Sequence, residues 1–146
     1  MDNNTLRQKT VLEALTWVGT PWHHAACVKG AGVDCVGLLR GVYNNVGLTD
    51  IAASDIPYYP PDIMLHRNEE TVLNVIERYG REILDPMPGD VVLWKFGRIF
   101  AHAAIVMEWP RVIHAHRPDM MVIAGDGTQG IFSGRETKFF TLIGDE

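Results

Sequence analysis

The sequence predicts an α+β domain in which helices come first and antiparallel strands last. Three observations carry this. Apolar residues recur at helical spacing in the first half, as in Val11, Leu12, Leu15 and Val18. After Pro88-Gly89-Asp90 the pattern changes to short runs rich in β-branched and aromatic residues, most of them separated by turn residues. The two patterns follow one another instead of alternating, which argues against a parallel βαβ sheet. The 146 residues suit one compact domain spanning 1–146, and 47% are apolar, enough for a hydrophobic core.

The first helix is expected over Thr5 to Val18, with Thr5 as cap and Gly19 and Pro21 ending it. A polar loop, WHHAACVKGAGVD, follows. A second helix starts near Cys35, with Asp34 as N-cap, Cys35, Leu38, Leu39 and Val42 on one face, and Gly47 just past its end. Asn44 to Leu65 contains IPYYPPD and reads as an ordered, irregular loop. A third helix is expected over Asn68 to Tyr79, with Val72, Val75, Ile76 and Tyr79 on one face and Gly80 at its end. Strands are expected at Val91 to Phe96, Ala101 to Met107, Arg111 to Ala115, Met120 to Ala124 and Phe139 to Ile143. GDGTQGIFSGRET is a glycine-rich connection.

Composition excludes several classes. A net charge of −5, with 13 scattered Lys and Arg, gives no basic stripe for nucleic acid. No apolar run is long enough to cross a bilayer, and MDNNTLRQKT lacks the apolar stretch of a signal peptide. Synthesis in the cytoplasm, without membrane insertion, is the expectation. Two cysteines are too few for a disulfide scaffold.

The candidate chemistry starts at Cys35. A thiol in the first turn of a helix meets unpaired N–H groups and the positive end of the dipole. Both favour the thiolate, so a lowered pKa is expected there, and the same N–H groups can hold an oxyanion. A buried, inert cysteine is the plain alternative. Gly37 permits close approach of another backbone or a substrate. His102 opens the strand AHAAIVM between small alanines, and His114 lies on the next strand. A hairpin turning near Glu108 to Pro110 is expected to set His102 directly across from His114, so that one imidazole orients the other. Trp22 can wall a cleft beside Cys35. His23, His24, Cys27 and Cys35 do not match a common zinc spacing. His66 and His116 read as solvated loop histidines, and Asp90 as a turn residue.

The segments GTPW, GVDCVGLL, PGDVVLW, HAAIVM and VIHA, in that order, resemble the NlpC/P60 peptidases, and within them the short phage-tail and prophage members. The resemblance runs from about Val11 to Ala115. It implies a papain-like fold with the cysteine helix packed on an antiparallel sheet. It also implies hydrolysis of amide bonds in peptidoglycan stem peptides, commonly between D-glutamate and the diamino acid. By motif position Cys35 is then the nucleophile, His102 the base and His114 its orienting partner, with no metal or other cofactor. Asp34 is implied in substrate binding, Trp22 stands where many members have Tyr, and Val36 where many have Ser. His24 is a local addition that can supply a donor near Cys35. Implied partners are the stem peptide and proteins of a phage tail or tail-like particle, with action in the host periplasm or wall. Two alternatives stay open: a non-catalytic tail or wall-binding module with this fold, and a thiol acyltransferase or amidase on another substrate.

Overall fold

The computed structural model describes residues 1–61 and 70–144. Its elements run α1 (Asn3–Leu15), β1 (Cys27–Val28), β2 (Gly32–Val33), α2 (Cys35–Asn45), α3 (Thr71–Tyr79), β3 (Arg81–Ile83), β4 (Val91–Phe96), β5 (Ile99–Glu108), β6 (Arg111–His116), β7 (Met121–Asp126) and β8 (Thr137–Thr141). Strands β3 to β8 form one antiparallel sheet in the order β3-β8-β4-β5-β6-β7, and β1 and β2 form a small hairpin. The α+β layout expected from the sequence is therefore the observed one.

Helix α1 is capped by Asp2, which accepts from the Thr5 amide at 2.7 Å; Thr5 itself is not the cap. The helix also stops at Leu15, three residues before the expected end, in a turn that closes at Gly19 with φ 91°. Helix α2 matches its expected start, since the Asp34 carboxylate accepts from the Gly37 amide at 2.8 Å. A longer third helix from Asn68 is only partly testable: Asn68, Glu69 and the loop histidine His66 lie outside the described residues, and the helix is seen from Thr71.

Helix α2 packs against β5 and β6. Leu38 and Val42 are fully buried, and the Tyr43 hydroxyl donates to the Gly89 carbonyl at 2.6 Å, tying the helix to the start of β4. Asp90 does lie in the turn before β4, but it is fully buried and paired with Arg7 of α1 at 2.8 Å. A buried carboxylate needs such a partner, because removing Arg7 would leave an uncompensated charge.

The sequence reading missed three short strands. The hairpin β1–β2 lies inside the polar loop, and β3 pairs with β8. Two- and three-residue strands carry no periodicity to read. Strand β8 starts at Thr137 and ends at Thr141, two residues earlier than expected, since it is held from both sides by β3 and β4.

Candidate active site

Cys35 takes its place from the cap beneath it. Both oxygens of the buried Asp34 are engaged by the protein: one by the Gly37 amide, the other by the Ala25 amide at 2.7 Å and the Tyr59 hydroxyl. His24 Nδ1 lies 4.0 Å from the second oxygen. These contacts pin the start of α2 to the loop that leads into β1 and to the irregular segment before residue 61. Gly37 is required at this junction, since a Cβ there would come within 2.1 Å of the Ala26 carbonyl oxygen.

The thiol of Cys35 lies near the backbone amides of Cys35, Val36 and Ala103, which favour its ionised form. Burial, and secondarily the Asp34 carboxylate beside it, oppose them and win: the thiol is pushed up to about 12. The expectation of a lowered pKa is corrected here. A helix dipole is a local effect, whereas desolvation depends on what the fold packs over the sulfur. Cys27 also has a raised pKa, chiefly through burial, and its thiol donates to the Gly37 carbonyl at 3.1 Å. Both cysteines are free.

Ala103 follows His102 on β5, so the strand that faces the thiol also carries the imidazole. His102 and His114 share one face, with His102 Nε2 and His114 Nδ1 2.9 Å apart. They are not directly opposed. The strands pair Ile105 with Ile113 and Val106 with Val112, an offset of two residues from the expected register. Side chains alternate with a period of two, so that offset keeps both rings on the same face. They meet beyond the last paired residues as diagonal neighbours.

Both imidazoles are buried, at 8% and 2% exposure. Burial lowers the pKa of His102 to about 3, with His116 adding a smaller effect, and burial likewise holds His114 far below its ordinary value. Both rings are therefore neutral at pH 7. Trp94 stacks on His102 at 5.6 Å and Phe132 lies parallel to it at 5.7 Å. Phe132 comes from the glycine-rich connection, where sequence periodicity gave no signal.

A cleft opens over these groups. Cys35, His102, Asp34, Trp22 and His24 all line it, while His114 reaches it through His102. All six candidate residues are thus brought to one place. Other lining residues were not anticipated. Tyr59, Pro60 and Pro61 come from the irregular segment, and Tyr59 packs edge-on to His24 at 5.2 Å. His116 is not a solvated loop residue: it ends β6, lines the cleft, and its Nδ1 meets Asp119 at 2.8 Å. The IPYYPPD motif marked an ordered loop but held no signal for where it docks. The two-residue spacing of His114 and His116 puts both on one face of β6, and that spacing was the available signal for His116.

No family model matches the sequence, and no curated protein matches it. Solved structures do. The NlpC/p60 domain of the peptidoglycan hydrolase SagA superposes with a TM-score of 0.60 at 21% identity, covering 90% of this chain and 96% of that one. NlpC2 from Trichomonas vaginalis gives 0.66 at 18% identity over 96% of this chain, which spans 47% of that protein's length. RipD from Mycobacterium tuberculosis, described as a non-catalytic NlpC/p60 domain protein adapted to peptidoglycan binding, gives 0.62 at 12% identity, covering 94% and 97%. At these identities the likeness is one of architecture: the chain has the NlpC/P60 fold.

Proposed function

We propose that this chain is a cysteine peptidase that hydrolyses amide bonds in peptidoglycan stem peptides, with Cys35 as nucleophile, His102 as base and His114 as its orienting partner. One observation carries the reading. A thiol in the first turn of α2 shares a cleft with a buried neutral imidazole, whose Nε2 is held 2.9 Å from a second imidazole. The SagA domain, of the same fold, is described as part of a peptidoglycan hydrolase.

The contact between the two imidazoles supports one arrangement of the protons. His102 Nε2 is engaged by His114, so Nδ1 is the nitrogen left to serve the thiol. For Nδ1 to accept a proton, Nε2 must carry hydrogen and donate to His114 Nδ1. The resting pair is thiol and imidazole, both neutral, because burial disfavours each ion. As sulfur attacks the carbonyl carbon, its proton passes to His102 Nδ1, and His114 stabilises the imidazolium through the Nε2–H bond. Amides at the start of α2 face the developing oxyanion. His102 then protonates the leaving amine as the C–N bond breaks. Water, deprotonated by the same imidazole, hydrolyses the thioester and restores the thiol.

The bond proposed is that between D-glutamate and the diamino acid. The setting proposed is a phage tail or tail-like particle, made in the cytoplasm and acting on the wall from the host periplasm. Asp34, Trp22 and His24 are proposed to shape the substrate site. With its oxygens engaged by Gly37, Ala25 and Tyr59, Asp34 acts first as an organiser of the cleft. The rival reading is a non-catalytic wall-binding module, as RipD is described, and the raised pKa of the Cys35 thiol favours it. Mass spectrometry of sacculi incubated with the protein separates the two. New γ-D-glutamyl termini support the peptidase, whereas unchanged muropeptides with retained binding support the module. Acyl products on another substrate point to the thiol acyltransferase alternative.

A further inference from the structure

Trp22, Pro61 and Arg117 come from three distant segments and meet at the Cys35 cleft. The Arg117 guanidinium carbon lies 5.1 Å from the centre of the Trp22 ring. Its Nη1 donates to the Pro61 carbonyl at 2.9 Å. The ring contact uses the face of the guanidinium, and Pro61 takes one N–H of the five. Among the described residues no carboxylate pairs with Arg117. An arginine fixed at two points with donors to spare is preorganised for a planar, two-oxygen anion. Its surroundings sharpen this role. Pro60, Pro118 and Ile131 are apolar lining residues that offer the guanidinium no side-chain acceptor. The neighbouring His116 already has Nδ1 on Asp119, and the Asp34 oxygens are satisfied within the protein.

We propose that Arg117 is a specificity-determining residue that binds a free carboxylate on the substrate residue flanking the scissile amide. The inference rests on the peptidase reading above and names the chemistry its substrate must carry. An amide made through the γ-carboxyl of glutamate leaves the α-carboxylate free close to the scissile bond. The α-carboxamide has nearly the same shape but no charge, and its NH₂ would meet the arginine donor to donor.

The test is calorimetric binding of two γ-D-glutamyl-diamino-acid peptides, one with a free α-carboxylate and one with an α-carboxamide, to the Cys35→Ala protein. The carboxylate peptide should bind roughly 10- to 100-fold more tightly, the scale of a hydrogen bond to a charged group. Arg117→Gln should bring the two affinities together, and Arg117→Lys should restore part of the difference. Losing Arg117 also frees Pro61, but that weakens both peptides alike, so the ratio isolates the carboxylate. Equal affinities in the arginine protein, no binding of either peptide, or a preference that survives Arg117→Gln would overturn the proposal. With Cys35 present, the same ratio should appear in kcat/KM. A binding preference without turnover of either peptide would refute the peptidase and leave the carboxylate site standing.

Discussion

Acidification should unfold this protein through its buried histidine pair. An unfolded imidazole titrates near pH 6.5, whereas folded His102 is held at about 3 and His114 is also far below its ordinary value. The sign follows directly. Below pH 6.5 the unfolded chain takes up protons that the folded chain refuses, so the stability present above that pH is lost as pH falls. Each such group contributes a slope of roughly 1 kcal/mol per pH unit, and the pair roughly 3 kcal/mol per unit, down towards the folded pKa values. Between pH 6.5 and 4 the pair would remove roughly 7 kcal/mol, enough to consume the lower part of a total stability of about 5–15 kcal/mol. Urea denaturation at pH 7, 6 and 5, followed by tryptophan fluorescence, measures this slope. Replacing His114 by Gln should remove about half of it. An unfolding free energy that does not change between pH 7 and 5 would refute a buried neutral pair, and with it the base assigned to His102.

Alkylation gives a second test. With the thiol pushed up to about 12, iodoacetamide should label Cys35 slowly at pH 7 and about tenfold faster per pH unit above it, yet ahead of Cys27, which is not on the cleft. Fast labelling that is flat from pH 6 to 8 would reveal a resting thiolate and contradict the proton assignment. Gly37→Ala forces a Cβ against the Ala26 carbonyl at 2.1 Å and should cost about 3 kcal/mol or more in urea, with loss of turnover. Wild-type stability would show that the junction yields easily. His114→Ala should lose much of kcat, and His114→Gln, which can still accept from Nε2–H of His102, should retain more. Equal loss in both would mean that His114 serves packing alone.

What the sequence disclosed and what it hid divide along physical lines. Helix α2 was legible because Asp34, Cys35 and the apolar face of Leu38 and Val42 form one local signal. The shared face of His102 and His114 was legible because strand side chains alternate. Their exact opposition was not, since register depends on pairing along the whole hairpin. The thiol pKa was read with the wrong sign, because the dipole is local and desolvation is not. Tyr59, Pro61, Arg117 and Phe132 reach the cleft only through the tertiary fold. The irregular loop expected in Asn44 to Leu65 supplies part of the wall of that cleft, although Tyr58 remains 84% exposed; residues 62–65 lie outside the described residues.

The central claim is that Cys35 forms an acyl intermediate with wall peptides. The direct measurement is release of new amino groups from purified Gram-negative sacculi by wild-type, Cys35→Ala and His102→Ala proteins, each checked for folding by circular dichroism. General-base catalysis contributes roughly 10²–10⁴-fold, so His102→Ala should fall by that order. Cys35→Ala should fall to background, and the double variant should lose no more than Cys35→Ala, since residues acting as one unit share one effect. A folded Cys35→Ala protein that releases amino groups at the wild-type rate would contradict the account.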